Sequence, residues 1–157
     1  MRRKMARTLI LCPTHDHADT LFASIASVQA QRDADWQMVV IGDGAPERTA
    51  DIVMAIGERD PRIRYRPHPK GERFGEAYRD AVIRESPAEF ICHLGDDDLW
   101  SDRHLDTMTA MLAQADWAMQ GELALSVDGA FTWRFANHGT DLARELAGKD
   151  APRMLDS

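Results

Sequence analysis

Three consecutive carboxylates, Asp96, Asp97 and Asp98, come directly after Gly95 and a short apolar run over residues 89–94. Adjacent carboxylates repel one another, so the arrangement is costly unless solvent or a cation relieves it. Hard divalent cations take oxygen ligands, and Mg²⁺ typically uses one or two carboxylates together with substrate phosphates. Two further stretches carry groups suited to the same chemistry. Asp43 stands between Gly42 and Gly44, where a ligand can approach the backbone closely and a carboxylate can accept from a nucleobase N–H or a ribose hydroxyl. Arg62, Arg64, Arg66, His68, Lys70 and Arg73 supply cations, and arginine binds phosphate oxygens bidentately. Each stretch has a plainer reading: an acidic loop capping the next helix, an Asp-Gly turn without a ligand, and a solvated basic strand face. Among the cations Arg73, beside Phe74 and Gly75 at a predicted helix start, is the best ligand candidate. His15, His17 and His93 form no zinc-type spacing with Cys12 or Cys92.

The elements that must position these groups follow from hydrophobic periodicity. Residues 8–12 read as a strand ended by Pro13, and residues 19–31 as a helix capped by Asp19, with Leu21, Phe22, Ile25 and Val28 on one face. A second strand covers 36–41 and a second helix runs from Glu47 to about Ile56. A half-exposed strand over 62–66 follows Asp60 and Pro61. A helix over about 75–84 offers Ala77, Ala81 and Val82 for packing. Residues 89–94 form a buried strand, and a helix over 102–114 presents Leu105, Met108, Met111 and Leu112. Trp100 is expected to pack beneath the acidic loop, and Trp36, Trp117 and Trp133 in the core. Strands and helices therefore alternate, which implies an α/β fold with a mostly parallel sheet, helices on both faces and right-handed crossovers. The loops at 13–17, 42–46 and 95–100 then share the carboxyl edge, where open α/β sheets bind ligands. Residues 122–127 and 130–135 around Asp128 and Gly129 form a C-terminal β-hairpin with a type I′ turn. A short helix over 141–146 is expected in the polar tail.

Composition narrows the class. At 157 residues the chain is expected to be one domain with a real core. Its net charge of −7 argues against a general nucleic-acid binder. Two cysteines read as reduced core thiols of a cytoplasmic protein. No apolar stretch reaches the roughly 18 residues a membrane helix needs, and the basic start is followed by too short an apolar run for a signal peptide.

Taken together these stretches resemble the nucleotide-binding part of a family 2 glycosyltransferase with the GT-A (Rossmann-like) fold. Residues 9–16 resemble that family's first strand and its Pro-Thr-x-Asn-like loop, with Asp16 where Asn is usual. Residues 24–31 are similar to its Ser-x-x-x-Gln helix end. Residues 39–44 resemble the strand ending in Asp-Asp-Gly, with Gly42 replacing the first Asp. Residues 90–100, with Arg103 to Leu105, look like its metal-binding acidic motif and following helix, and residues 73–79 are similar to a segment preceding that motif. The resemblance implies a nucleoside-diphosphate sugar donor, often a UDP-sugar, an inverting transfer to a saccharide, lipid or protein acceptor, and Mn²⁺ or Mg²⁺ as cofactor. It implies that Asp43 reads the base, with Pro13, Thr14 and Asp16 lining the nucleotide site and Arg73 near the diphosphate. Asp96 and Asp97 would meet the nucleotide, and Asp96 and Asp98 the metal. Residues 8–115 correspond to the donor-binding core and 116–157 to a short, incomplete acceptor-side region. The general base usually lies beyond the acidic motif, and neither Asp128, Asp141 nor Asp150 is assigned to it. Other readings stand beside transfer: a non-catalytic nucleotide-sugar-binding module or a truncated donor-binding domain needing a partner or a second copy, and a nucleotidyl- or phosphotransferase, for which no glycine-rich phosphate loop speaks.

Overall fold

The computed structural model describes residues 6–120 and the backbone of residues 122–125 and 131–134. The chain divides into two compact units, Met1–Gln114 and Ala115–Ser157. In the first, β1 (Thr8–Thr14), α1 (Ala18–Gln29), β2 (Trp36–Asp43), α2 (Glu47–Arg59), β3 (Ile63–His68), α3 (Glu76–Glu85), β4 (Phe90–His93) and α4 (His104–Leu112) alternate as predicted. All four strands are parallel, in the order β3-β2-β1-β4. The second unit holds an antiparallel pair, β5 (Glu122–Leu125) and β6 (Phe131–Arg134). Leu125 pairs with Phe131, one residue short of the Thr132 partner that a two-residue Asp128-Gly129 turn gives. That turn, Trp133's side chain and the tail helix expected over 141–146 lie outside the described residues.

The order explains the ligand edge. The chain steps outward from β1 to β2 to β3, then returns to lay β4 on the other side of β1. The turns leaving β1 and β4 therefore stand side by side at the carboxyl edge, where the strand order reverses and such sheets bind ligands.

Burial follows the two-residue period of strands. Ile10, Cys12, Met38 and Val40 pack on one face with Leu21, Ile25 and Val28 of α1, Val53 of α2 and Leu105 of α4. Leu9, Leu11, Val39 and Ile41 pack on the other face with Val82, Tyr78 and Ile83 of α3. β1 and β2 are apolar along nearly their whole length because both of their faces are covered. Each fully buried aliphatic chain there contributes about 1.5–3 kcal/mol.

Several local expectations are corrected. β1 runs through Pro13 to Thr14, with Pro13 in register with Ile41. Leu11 already accepts from Leu94 N–H on the β4 side, so Pro13, two residues on, points its missing N–H where β4 has ended. Asp19 lies in the first turn of α1 rather than at its cap, which His17 occupies without a side-chain capping bond to the helix. Phe22 is 61% exposed, because the buried stripe of α1 is Leu21, Ser24, Ile25 and Val28. Val82 packs as expected, but Ala77 and Ala81 are exposed, and Tyr78 and Ile83 pack in their place. β4 is an edge strand, buried only at Cys92, and Met111 and Trp117 are exposed. Trp36 is buried, and both cysteines are free and buried.

Candidate functional site

Four segments reach the carboxyl edge of the sheet: the turn after β1, the end of β2, the loop after β3 and the acidic turn after β4. β1 and β2 end together, with Thr14 beside Gly42. Thr14 is buried and its Oγ1 has no hydrogen-bond partner among the described residues. Such an orphaned buried hydroxyl carries a desolvation cost that a ligand's polar atom can remove. Gly42 stands where a side chain would collide with the Tyr65 hydroxyl, so its missing Cβ makes room for that ring.

Asp43 is the most enclosed carboxylate among the described residues, 3% exposed. Lys70 Nζ donates to its Oδ2 at 2.8 Å and Gly71 N–H to its Oδ1 at 2.6 Å. His15 Nδ1 donates to the Asp43 carbonyl at 2.8 Å. Burial opposes ionisation of Asp43, but the Lys70 and Gly71 bonds outweigh it and hold the carboxyl below its ordinary value. Asp43 thus ties the loop after β3 to the end of β2.

That loop ends in an unusual backbone. Arg73 (φ 47°), Phe74 (φ 56°) and Gly75 (φ 68°) all lie in the left-handed region, where only glycine sits without steric cost. A Cβ on Gly75 would stand 3.1 Å from Asp43 Cγ, so the turn is pressed against the buried carboxylate. Arg73 is exposed and pairs with Glu76 at 3.2 Å. With Gly71, Gly75 and Tyr78 it lines a shallow concavity of ≈ 260 Å³.

The acidic turn is braced from α1, in a way the sequence reading did not assign. Gln31, just past the helix end, donates from Nε2 to the carbonyls of Ser101 (2.6 Å) and Ser27 (3.0 Å) and accepts from Leu105 N–H at Oε1 (3.0 Å). Ser27 Oγ accepts from Trp100 N–H at 3.2 Å, and Arg32 N–H donates to the Asp102 carbonyl at 2.9 Å. The four-residue spacing of Ser27 and Gln31 places both on one side of the chain, and that spacing was the available signal. Trp100 packs against the core and stacks on His104 at 4.1 Å, as expected of a residue beneath this loop.

Within the turn, Asp96 is 8% exposed and accepts from His17 Nδ1 at 2.9 Å. That bond, with the Asp96 charge, raises the His17 pKa. Ligand atoms of His17, Asp96 and Asp97 lie within 4.8 Å of one another, the group among the described residues able to hold a metal. Asp98 lies beside them over Gly95, where a Cβ would stand 2.6 Å from Asp98 Oδ2. Two carboxylates, an imidazole and a cradle open only to glycine form a donor set that fits Mn²⁺ or Mg²⁺. The charge of the triplet reaches Cys12, whose thiol is raised far above its usual range by burial and then by Asp96, Asp98 and Asp97. The structure thus gathers Pro13, Thr14, Asp43 and the triplet at one edge; Asp16 is exposed in the turn after β1.

Comparison with known proteins identifies relatives and a shared fold. The chain is 22% identical over 146 residues to a GalNAc(5)-diNAcBac-PP-undecaprenol beta-1,3-glucosyltransferase of Campylobacter jejuni, covering 93% of this chain and 47% of the relative. It is 25% identical to the UDP-Glc:alpha-D-GlcNAc-diphosphoundecaprenol beta-1,3-glucosyltransferase WfgD of Escherichia coli, covering 66% and 40%. The chain therefore spans less than half the length of these curated relatives. Among solved structures it resembles a mannosyltransferase of Pyrobaculum calidifontis in complex with GDP-Man and Mn²⁺ (TM-score 0.59, 20% identity, covering 69% of this chain and 33% of that one). It also resembles TarS 1–349 of Staphylococcus aureus in complex with UDP-GlcNAc (TM-score 0.57, 17% identity, 69% and 31%). These likenesses establish the fold as GT-A. The family model described as glycosyl transferase family 2 matches residues 9–145, and the chain belongs to that family.

Proposed function

We propose that this chain carries the donor-binding part of an inverting, metal-dependent glycosyltransferase that moves a sugar from a UDP-sugar to an acceptor hydroxyl on a saccharide, lipid or protein. The observation that carries the reading is the meeting of the acidic turn after β4 with the turn after β1, at the crevice where the strand order reverses. Pro13, Thr14 and Asp16 line the nucleotide side, and Thr14's partnerless hydroxyl supplies a polar atom for it. Asp43 reads the base with the oxygen that Lys70 now occupies. That exchange releases Lys70, whose ammonium then joins Arg73 as a cation for the diphosphate.

Asp96, Asp97 and Asp98 hold the cation and the ribose, with Asp96 and Asp98 as metal carboxylates. When bound, Mn²⁺ or Mg²⁺ supplies Lewis-acid stabilisation of the charge that develops on the departing nucleoside diphosphate. The acceptor oxygen bonds to the anomeric carbon as the carbon–phosphate oxygen bond breaks, and its proton passes to a general base. Asp128, Asp141 and Asp150, none of which is assigned as that base, lie outside the described residues. Two buried, unpaired cysteines fit a cytoplasmic protein. Among the described residues no helix is long and apolar enough to cross a membrane.

The test is calorimetric titration of UDP with and without Mn²⁺, with GDP as control. We expect UDP binding that requires Mn²⁺ and disappears in the Asp96→Ala/Asp98→Ala variant. Failure to bind either nucleotide would sink the donor-site reading. Donor binding without transfer or donor hydrolysis would instead mark a nucleotide-sugar-binding module.

A further inference from the structure

The side chain that closes the acidic turn is an imidazole on a different element. We infer that His17 is itself a ligand of the cation, supplying one nitrogen donor from the turn after β1 and giving the site a preference for Mn²⁺ over Mg²⁺. This rests on the reading that the acidic turn holds a divalent cation.

Three observations support it. The converging ligand atoms belong to His17, Asp96 and Asp97, and their 4.8 Å spread needs only small side-chain rotations, because donors around such a cation lie about 3–4 Å apart. Asp96 is nearly buried and its hydrogen bond comes from His17 Nδ1 at 2.9 Å, so a cation can replace the proton the two groups share. Placement is also independent of the acidic loop. His17 begins α1, whose far end is fastened to the segment after the triplet through Gln31 and Ser27. Both arms of the site are thus mounted on one helix. Carboxylate oxygens suit Mg²⁺ and Mn²⁺ alike, whereas an imidazole nitrogen favours first-row transition ions.

The experiment titrates Mn²⁺ and, separately, Mg²⁺ into the full chain, with and without UDP, and records pulsed electron paramagnetic resonance of bound Mn²⁺. The wild type should show coupling to an imidazole nitrogen. His17→Ala and His17→Gln should both lose it, with Mn²⁺ affinity falling about tenfold, a scale at which even outer partners of metal sites act. Mg²⁺ affinity should change far less. His17→Gln can still donate to Asp96, so a merely orienting role predicts that it keeps the wild-type Mn²⁺ affinity, and that result would overturn the inference. Absence of nitrogen coupling in the wild type, or its survival in both variants, would do the same while leaving the cation site standing. No Mn²⁺ binding to the wild type under either condition would overturn the cation site as well.

Discussion

The two arms of the ligand edge are held by different kinds of interaction. Besides the His17–Asp96 pair, the acidic turn is fastened to α1 by neutral side-chain–backbone bonds through Gln31 and Ser27, so its backbone is held before anything binds. The loop after β3 hangs on one buried carboxylate, Asp43, and carries three successive left-handed residues whose exposed members are Arg73 and Phe74. Neutral amide bonds keep their strength across pH, whereas the Asp43 latch is electrostatic and exchangeable. The difference suits the division of labour proposed above: a rigid cation cradle on one side, and on the other a loop that gives up Lys70 as the donor enters.

Removing the latch gives the largest expected effect. Asp43→Ala deletes one bond to an ammonium and one from a backbone N–H, and should cost about 3 kcal/mol of stability on the scale of charged hydrogen bonds. Chemical denaturation measures it, and a loss below about 1 kcal/mol would show that the loop does not depend on Asp43. The same contrast has a pH form. The folded carboxyl of Asp43 lies below its unfolded value, so its contribution is complete above about pH 4 and is lost as pH falls through the folded value. Asp60, bonded by Arg62 and Gln29 near the start of β3 and held at about 2, adds to the same trend. Hydrogen exchange near pH 3 should therefore deprotect residues 69–75 before Leu105.

Cutting the other arm should cost less. Gln31→Leu keeps the apolar volume but strands the Leu105 N–H and leaves the Ser101 carbonyl with only the His104 N–H, for about 2 kcal/mol. Its sharper signature is functional: Mn²⁺ affinity should fall although no ligand has changed. Unaltered Mn²⁺ binding in a destabilised Gln31→Leu protein would separate the brace from the site.

How much of this was legible depended on whether the signal was local. The β-α alternation and the carboxyl-edge loops follow from periodicity, because covered strands such as β2 must be apolar throughout. The acidic triplet announced itself through its charge. His17 and Gln31 did not, since their meaning lies in partners 79 and 70 or more residues away, which only the return of β4 beside β1 brings close. Asp43 was legible as a position but not as a latch, because Lys70 read as a cation for a diphosphate and Gly71 as part of a loop. Ala77 and Ala81 misled for a related reason. A left-handed turn at 73–75 leads into α3, on which Tyr78 and Ile83 join the expected Val82 against the sheet.

The smallest effect concerns that turn. Phe74 combines φ 56° and ψ 36° with 82% exposure, so it bears the steric cost of a left-handed L-residue and recovers little by burial. Its carbonyl accepts from Arg79 Nη1 at 2.6 Å, a backbone bond that any residue at this position can keep. Asparagine tolerates the left-handed region far better. Phe74→Asn should therefore raise stability by about 0.5–1 kcal/mol, a rise of about 1–4 °C in Tm for a chain of this size. A fall in Tm would mean that the Phe74 ring contributes packing which outweighs its backbone strain, and the loop after β3 would then be held by more than Asp43. A rise together with weaker UDP binding would instead identify the strain as retained for the ligand, since loops that clamp ligands are where such strain collects.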